Sequence, residues 1–149
     1  MEKYRLTLVK ENEYSLKNTK IGCSEEAYQF AKSFYENSPS EKLGVLFLDI
    51  KNNIISFNDE LFKGTINFAA FSTREVLQTA LLLNAVNIII IHNHPSGDTK
   101  PSEEDKHLTR RLWRACKLFD MKLIDHLIIG DNYFSFADSG LISYTEIEI

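Results

Sequence analysis

Apolar residues along the chain recur with two periods, one helical and one extended, and the two alternate from end to end. Residues 3–10 alternate weakly and predict a short edge strand, and residues 12–20 are polar and read as a loop. Ser24 reads as the cap of a helix running to about residue 37, with Ala27, Phe30, Ala31 and Phe34 at helical spacing; Ser38-Pro39-Ser40 stops it. Residues 43–50 are apolar at nearly every position, the pattern of a strand covered on both faces. A turn at 49–53 leads to a second strand at 54–57, then to an irregular β segment at 62–71 around Gly64. Thr73 is expected to cap a helix to about residue 84 that buries Val76, Leu77, Ala80 and Leu81. A third core strand follows at 86–91, then a loop at 92–101 and a helix from Ser102 to about Phe119. A strand at 122–129, a turn at 130–132 and a strand at 133–137 complete the pattern. Strands alternating with helices predict an α/β fold, a three-layer α/β/α sandwich around a mixed sheet.

The composition narrows the class. No repeat, low-complexity tract or long linker divides residues 1–149, so they read as a single domain with a core of about 21–142. A hydrophobic content of 44% with 26% charged residues excludes a mainly disordered chain. The longest apolar runs, 80–83 and 88–91, are far too short to span a membrane, and the N-terminus lacks the apolar core of a signal peptide. A net charge of −4 provides no overall basic field for nucleic acid. Cys23 and Cys116 form no Cys-x-x-Cys pair, so a reducing, cytoplasmic setting is expected.

The chemistry is concentrated in His92-Asn-His-Pro-Ser-Gly-Asp-Thr-Lys-Pro-Ser-Glu-Glu-Asp105. His92 and His94 are two apart in extended chain and project to one side. Asp105 lies in the first turn of the next helix, at the head of a stripe formed by Leu108, Leu112, Ala115, Cys116 and Phe119; Lys106, Arg110, Arg114 and Lys117 occupy the other face. A carboxylate that starts a buried face needs a partner. Two imidazoles and one carboxylate, with a fourth position open, are the ligand set of a catalytic zinc site. Ser102-x-x-Asp105 also reads as a capping box, and the two roles are compatible if one carboxylate oxygen caps while the other binds metal.

That string resembles the JAMM (MPN+/JAB1) metalloprotease motif, and more closely the bacterial RadC-like family. The resemblance extends over residues 21–142 and includes Leu48-Asp49, Gly64-Thr65, Arg74-Glu75-Val76, Asp125-His126-Leu-Ile-Ile-Gly130 and Ser135-Phe136-Ala137. It implies a cytidine-deaminase-like JAB1/MPN fold, a Zn2+ ion on His92, His94 and Asp105, and hydrolysis of an amide bond in a peptide or protein substrate. It also implies that Ser102 stabilises the tetrahedral intermediate and that a glutamate activates the water. Glu41, just before the 43–50 strand, is the better match for that glutamate; Glu75, in the first turn of its helix, is the rival. Glu41 and His92 can share one sheet edge only if their strands run antiparallel.

Three other functions compete. The family's association with DNA repair implies a protein acting on or near nucleic acid. Longer members carry a helix–hairpin–helix region, which the roughly 20 residues before the first helix do not resemble; with the acidic balance, this points away from autonomous DNA binding. An inactive scaffold is opposed by the intact ligand set. A zinc deaminase would need His-x-Glu and Pro-Cys-x-x-Cys ligands, which the chain lacks. His126 is expected to support the site or the core rather than to ligate, His107 to be exposed, and Asn93 and Asp98 to shape the loop or contact substrate.

Overall fold

The computed structural model describes residues 1–5, 7–10, 13, 20–63 and 72–142. Its elements in chain order are α1 (Ser24–Tyr35), β1 (Lys42–Leu48), β2 (Ile54–Lys63), α2 (Thr73–Leu82), β3 (Asn87–Asn93), α3 (Glu103–Leu118), β4 (Lys122–Ile129) and β5 (Tyr133–Ser135). The five-stranded sheet has the order β2-β1-β3-β4-β5. β1 pairs antiparallel with β2 and β3, β3 pairs parallel with β4 through the α3 crossover, and β4 pairs antiparallel with β5. The sheet is therefore mixed, and both of its faces are covered.

Strand alternation divides the core in two. Leu43, Val45, Phe47, Ile88 and Ile90 face α2 and α3, packing against Val76, Ala80, Leu108, Leu112 and Cys116. Leu46, Leu48, Ile89, Ile91, Leu127 and Ile129 face α1 and pack on Ala27, Tyr28, Ala31 and Tyr35. This accounts for the nearly continuous apolar runs of β1 and β3, since a strand buried on both faces needs apolar residues of both parities. Burial also pushes the Cys116 thiol up to about 12.

One irregularity positions the site. Ile88 pairs with Leu123 but Ile89 pairs with Asp125, so β4 carries an extra residue, Ile124. A β-bulge of this kind exchanges the two faces for everything beyond it. It places His126 opposite Ile90, on the α3 face of the sheet.

Several local expectations are corrected. The described residues between 3 and 10 form no strand. The N-cap of α1 is Cys23, with no side-chain cap; Ser24 is the first helical residue, and its hydroxyl bonds Asp138 instead. Ser72, not Thr73, caps α2, accepting from the Glu75 N–H, while Thr73 Oγ1 accepts from Arg111 of α3. Leu81 is 49% exposed because α2 turns Val76 and Ala80 to the core. Phe119 is half exposed because α3 ends one residue earlier. β2 runs past residue 57 to Lys63, and its irregular pairing opposite Gly44 breaks the alternation that would have revealed its length. A Cβ at Gly44 would lie 2.2 Å from the Tyr35 hydroxyl, so glycine makes room for that tyrosine to donate to the Asp59 carbonyl. β5 stops at Ser135. The expected segment around Gly64 beyond Lys63, most of the 12–20 loop and the tail after residue 142 lie outside the described residues.

Candidate metal centre

His92 is the sixth residue of β3, not the start of a loop, and it is buried. His94 follows the strand end, where its N–H donates to the Ile129 carbonyl of β4 at 2.8 Å. The return loop then turns through Gly97, whose φ of +85° is a left-handed conformation that glycine adopts without strain. The Gly97 carbonyl accepts from Asp131 N–H, and a Cβ on Gly130 would lie 2.2 Å from it, so the loop docks directly on the β4–β5 turn. That docking aims α3 back at the strand ends. Ligand atoms of His92, His94 and Asp105 then all lie within 4.8 Å of one another.

The helix start shares its carboxylate between two tasks. Ser102 Oγ accepts from the Asp105 N–H, and Asp105 Oδ2 accepts from the Ser102 N–H at 2.7 Å, a complete capping box. Oδ2 also accepts the Ser102 hydroxyl at 2.7 Å. Oδ1 lies 3.2 Å from His92 Nε2, and Oδ2 lies 3.6 Å from His94 Nε2. Burial pushes the Asp105 carboxyl up, but the close imidazoles of His92 and His94 and the hydrogen bonds from Ser102 outweigh it and hold the group well below the usual carboxylate range.

Proton accounting fixes which nitrogens face inward. Thr109 Oγ1 donates its single proton to the Asp105 carbonyl at 2.7 Å. Its 2.6 Å contact with His126 Nδ1 must therefore be an N–H donated by the histidine. His126 is fully buried, and burial followed by the neighbouring His92 holds its pKa well below the usual value, so it is neutral. A neutral imidazole with Nδ1–H has a bare Nε2, which accepts from His92 Nδ1–H at 2.7 Å. Phe136 stacks on the His126 ring at 4.5 Å and fixes its plane. On the other histidine of the cluster, His94 Nδ1 lies 2.7 Å from the Asp98 carbonyl, an acceptor only, so it too carries a proton.

Both inward nitrogens are consequently Nε2, and they stand 2.9 Å apart. Two imidazole lone pairs and a carboxylate at this range repel unless a positive charge sits among them. The neighbouring Asp105 carboxylate raises the His94 pKa, against the opposing effect of burial, with smaller help from the Asp98 carbonyl and the Glu41 charge. A proton is one such positive charge, and a metal cation is the other. The donor set fits a divalent metal of the kind that accepts nitrogen and oxygen ligands.

The antiparallel pairing that Glu41 requires is present: Leu43 pairs with His92. Glu41 precedes β1 by one residue, shares the parity of Leu43, Val45 and Phe47, and lies close enough to His94 for its charge to act there. Glu75 is exposed in the first turn of α2. His107 is exposed and His126 supports His92, as expected. Asn93 reaches the chain on either side of Glu41, whereas Asp98 supplies its carbonyl to His94 and its carboxylate to the Lys100 N–H. Thr109 was missed, although its place four residues after Asp105 on the buried stripe was a usable signal for a polar contact at that depth.

The description RadC-like JAB domain belongs to a family model that matches residues 21–141. The chain is 44% identical over 123 residues to a UPF0758 protein of Coxiella burnetii (strain Dugway 5J108-111), covering 82% of this chain and 54% of the relative. It is 49% identical over 112 residues to a UPF0758 protein of Xylella fastidiosa (strain 9a5c), covering 74% of this chain and 49% of the relative. The chain thus spans about half the length of the curated relatives it matches.

Proposed function

This chain belongs to the RadC-like JAB domain family, and from that premise we propose that it is a zinc-dependent hydrolase that cleaves an amide bond, peptide or isopeptide, in a protein substrate. One observation carries the reading: two Nε2 lone pairs and a carboxylate converge on one point, with their other hydrogen-bonding positions already taken. His92, His94 and Asp105 would hold the ion. A zinc ion with an open position acidifies water towards a pKa of about 7 and polarises a carbonyl.

The chain's own groups divide the remaining work. Glu41 takes a proton from the attacking water as the C–O bond forms, and delivers it to the nitrogen as the C–N bond breaks. Ser102 carries one hydroxyl proton, directed at Asp105 Oδ2. To stabilise the tetrahedral oxyanion it must turn that proton to the substrate, and the Ser102 N–H remains on Oδ2 to keep the carboxylate in place. His126 and Thr109 hold the His92 ring and its tautomer.

The test is digestion of a peptide library and a set of isopeptide-linked peptides, with and without a chelator, repeated on Glu41→Gln. Cleavage should require the metal, return on adding Zn2+, and fall about 10²-fold or more in the variant. Chelator-insensitive cleavage would contradict the metal mechanism, and full activity in Glu41→Gln would remove Glu41 from it.

A further inference from the structure

Asn93 lies between the two histidines in sequence and faces away from them. Leu43 and His92 form the last regular pair between β1 and β3. One step further, Lys42 and Asn93 fall outside the regular β1–β3 register. The Lys42 N–H donates to the Asn93 side-chain oxygen at 2.7 Å. The Asn93 side-chain N–H donates in turn to the Ser40 carbonyl at 3.2 Å, which Ser38 Oγ also meets at 2.7 Å. One carboxamide thus imitates a peptide group and bonds the backbone on both sides of a single residue, Glu41. Asn93 itself is 3% exposed, and its carboxamide reaches out to the half-buried Ser40 and Lys42.

The chemistry of these two contacts selects asparagine. Reversing the amide would set two donors against each other at Lys42 and two acceptors at Ser40. Aspartate could accept from Lys42 but could not donate to Ser40, and an aliphatic residue would do neither. Glutamate side chains lose entropy when held, and an N-terminal strand end frays unless it is tied. The clamp supplies that tie from the dipeptide step that also fixes both imidazoles.

We propose that Asn93 is a positioning residue that holds the backbone of Glu41 in register with His92 and His94, coupling the general base to the metal ligands. This rests on the assignment of Glu41 under the proposed function. The contacts of the Asn93 carboxamide are with the backbone on either side of Glu41, and Asn93 is not among the three residues that could hold a metal. Its loss should therefore impair Glu41 and leave the ligands intact.

The test is a double-substitution cycle of Asn93→Ala and Asn93→Asp, each alone and with Glu41→Gln, with three readouts. Asn93→Asp keeps the acceptor for Lys42, so it serves if the alanine variant folds poorly. The first readout is hydrogen exchange of the Lys42 amide, which should lose protection in Asn93→Ala. The second is the visible spectrum of the protein loaded with Co2+ alone. Asn93→Ala should reproduce the change caused by Glu41→Gln and add nothing to it. The third is cleavage of a peptide identified from the library. The kcat should fall about 10- to 100-fold with KM and metal stoichiometry retained, and Asn93→Ala should cost less than about threefold in the Glu41→Gln background.

Retained Lys42 protection, independent effects of the two substitutions, or loss of metal from Asn93→Ala would overturn the proposal while the hydrolase reading stood. A wild-type protein that binds Co2+ but cleaves nothing would count against the hydrolase reading, and the spectral cycle would then decide the clamp. Failure of the wild type to bind Co2+ would overturn both.

Discussion

His94 and Asp105 are shifted in opposite directions by the same encounter. The Asp105 carboxylate raises the imidazole, and the imidazoles, acting against burial, lower the carboxyl. Below its raised pKa His94 carries a proton that a metal must displace, whereas Asp105 is already ionised at any ordinary pH. Metal affinity should therefore rise with pH and level off above the His94 value, which lies above the usual 6.5. Below it, apparent affinity should fall about tenfold per pH unit, the slope for one displaced proton. Competition with a chromophoric chelator across a pH series measures this; a flat profile would contradict the assignment. In the metal-free protein the sign is reversed. Stability contributed by His94 is complete below the unfolded value near 6.5 and is lost as pH rises through the higher folded value.

Thr109 ties α3 to β4, since its hydroxyl joins the Asp105 carbonyl to His126. Thr109→Val keeps the shape and removes the hydroxyl, leaving the His126 Nδ1–H without its acceptor. Stability should fall by about 1–3 kcal/mol, and metal affinity by about 10- to 100-fold. Denaturant unfolding of the metal-free protein and chelator competition check the two effects separately; unchanged values in both would break the tie. The tie depends on Ile124, the extra residue of β4, because it turns His126 towards α3. No pattern in the sequence marks that bulge, since residues 122–129 read as a strand with or without it. The same limit explains why β2 was read short: its irregular stretch across Asn58, Asp59 and Glu60 looks polar and loop-like until Gly44 and Tyr35 are seen to pack there. By contrast, α3 was legible because its cap, stripe and basic face all agree. The candidate metal cluster was legible because its three residues lie in one loop and the helix turn that follows it. Asn93 was not, because its partners lie more than fifty residues away in the chain.

At the scale of the whole molecule, the sheet order matters more than any one strand. Antiparallel β1 and β3 bring the start of one strand beside the end of the other, and the parallel β3–β4 pair places the head of α3 over the same edge. Open α/β sheets place ligands at the carboxyl ends of their strands for this reason. Glu41, His92, His94, Ser102 and Asp105 reach one edge from three separate segments of the chain. No helix among the described residues is long and apolar enough to cross a membrane. The chain spans only about half the length of its relatives, so the lack of a helix–hairpin–helix resemblance before α1 speaks for these residues alone. Whether this edge binds a divalent metal is decided by metal analysis of the wild type and of His94→Ala, each purified without chelator and equilibrated with Zn2+. One zinc per wild-type chain is expected, with loss of it in the variant and the fold retained by circular dichroism. A folded wild-type protein without zinc, or a variant that keeps it, would rule out the metal centre.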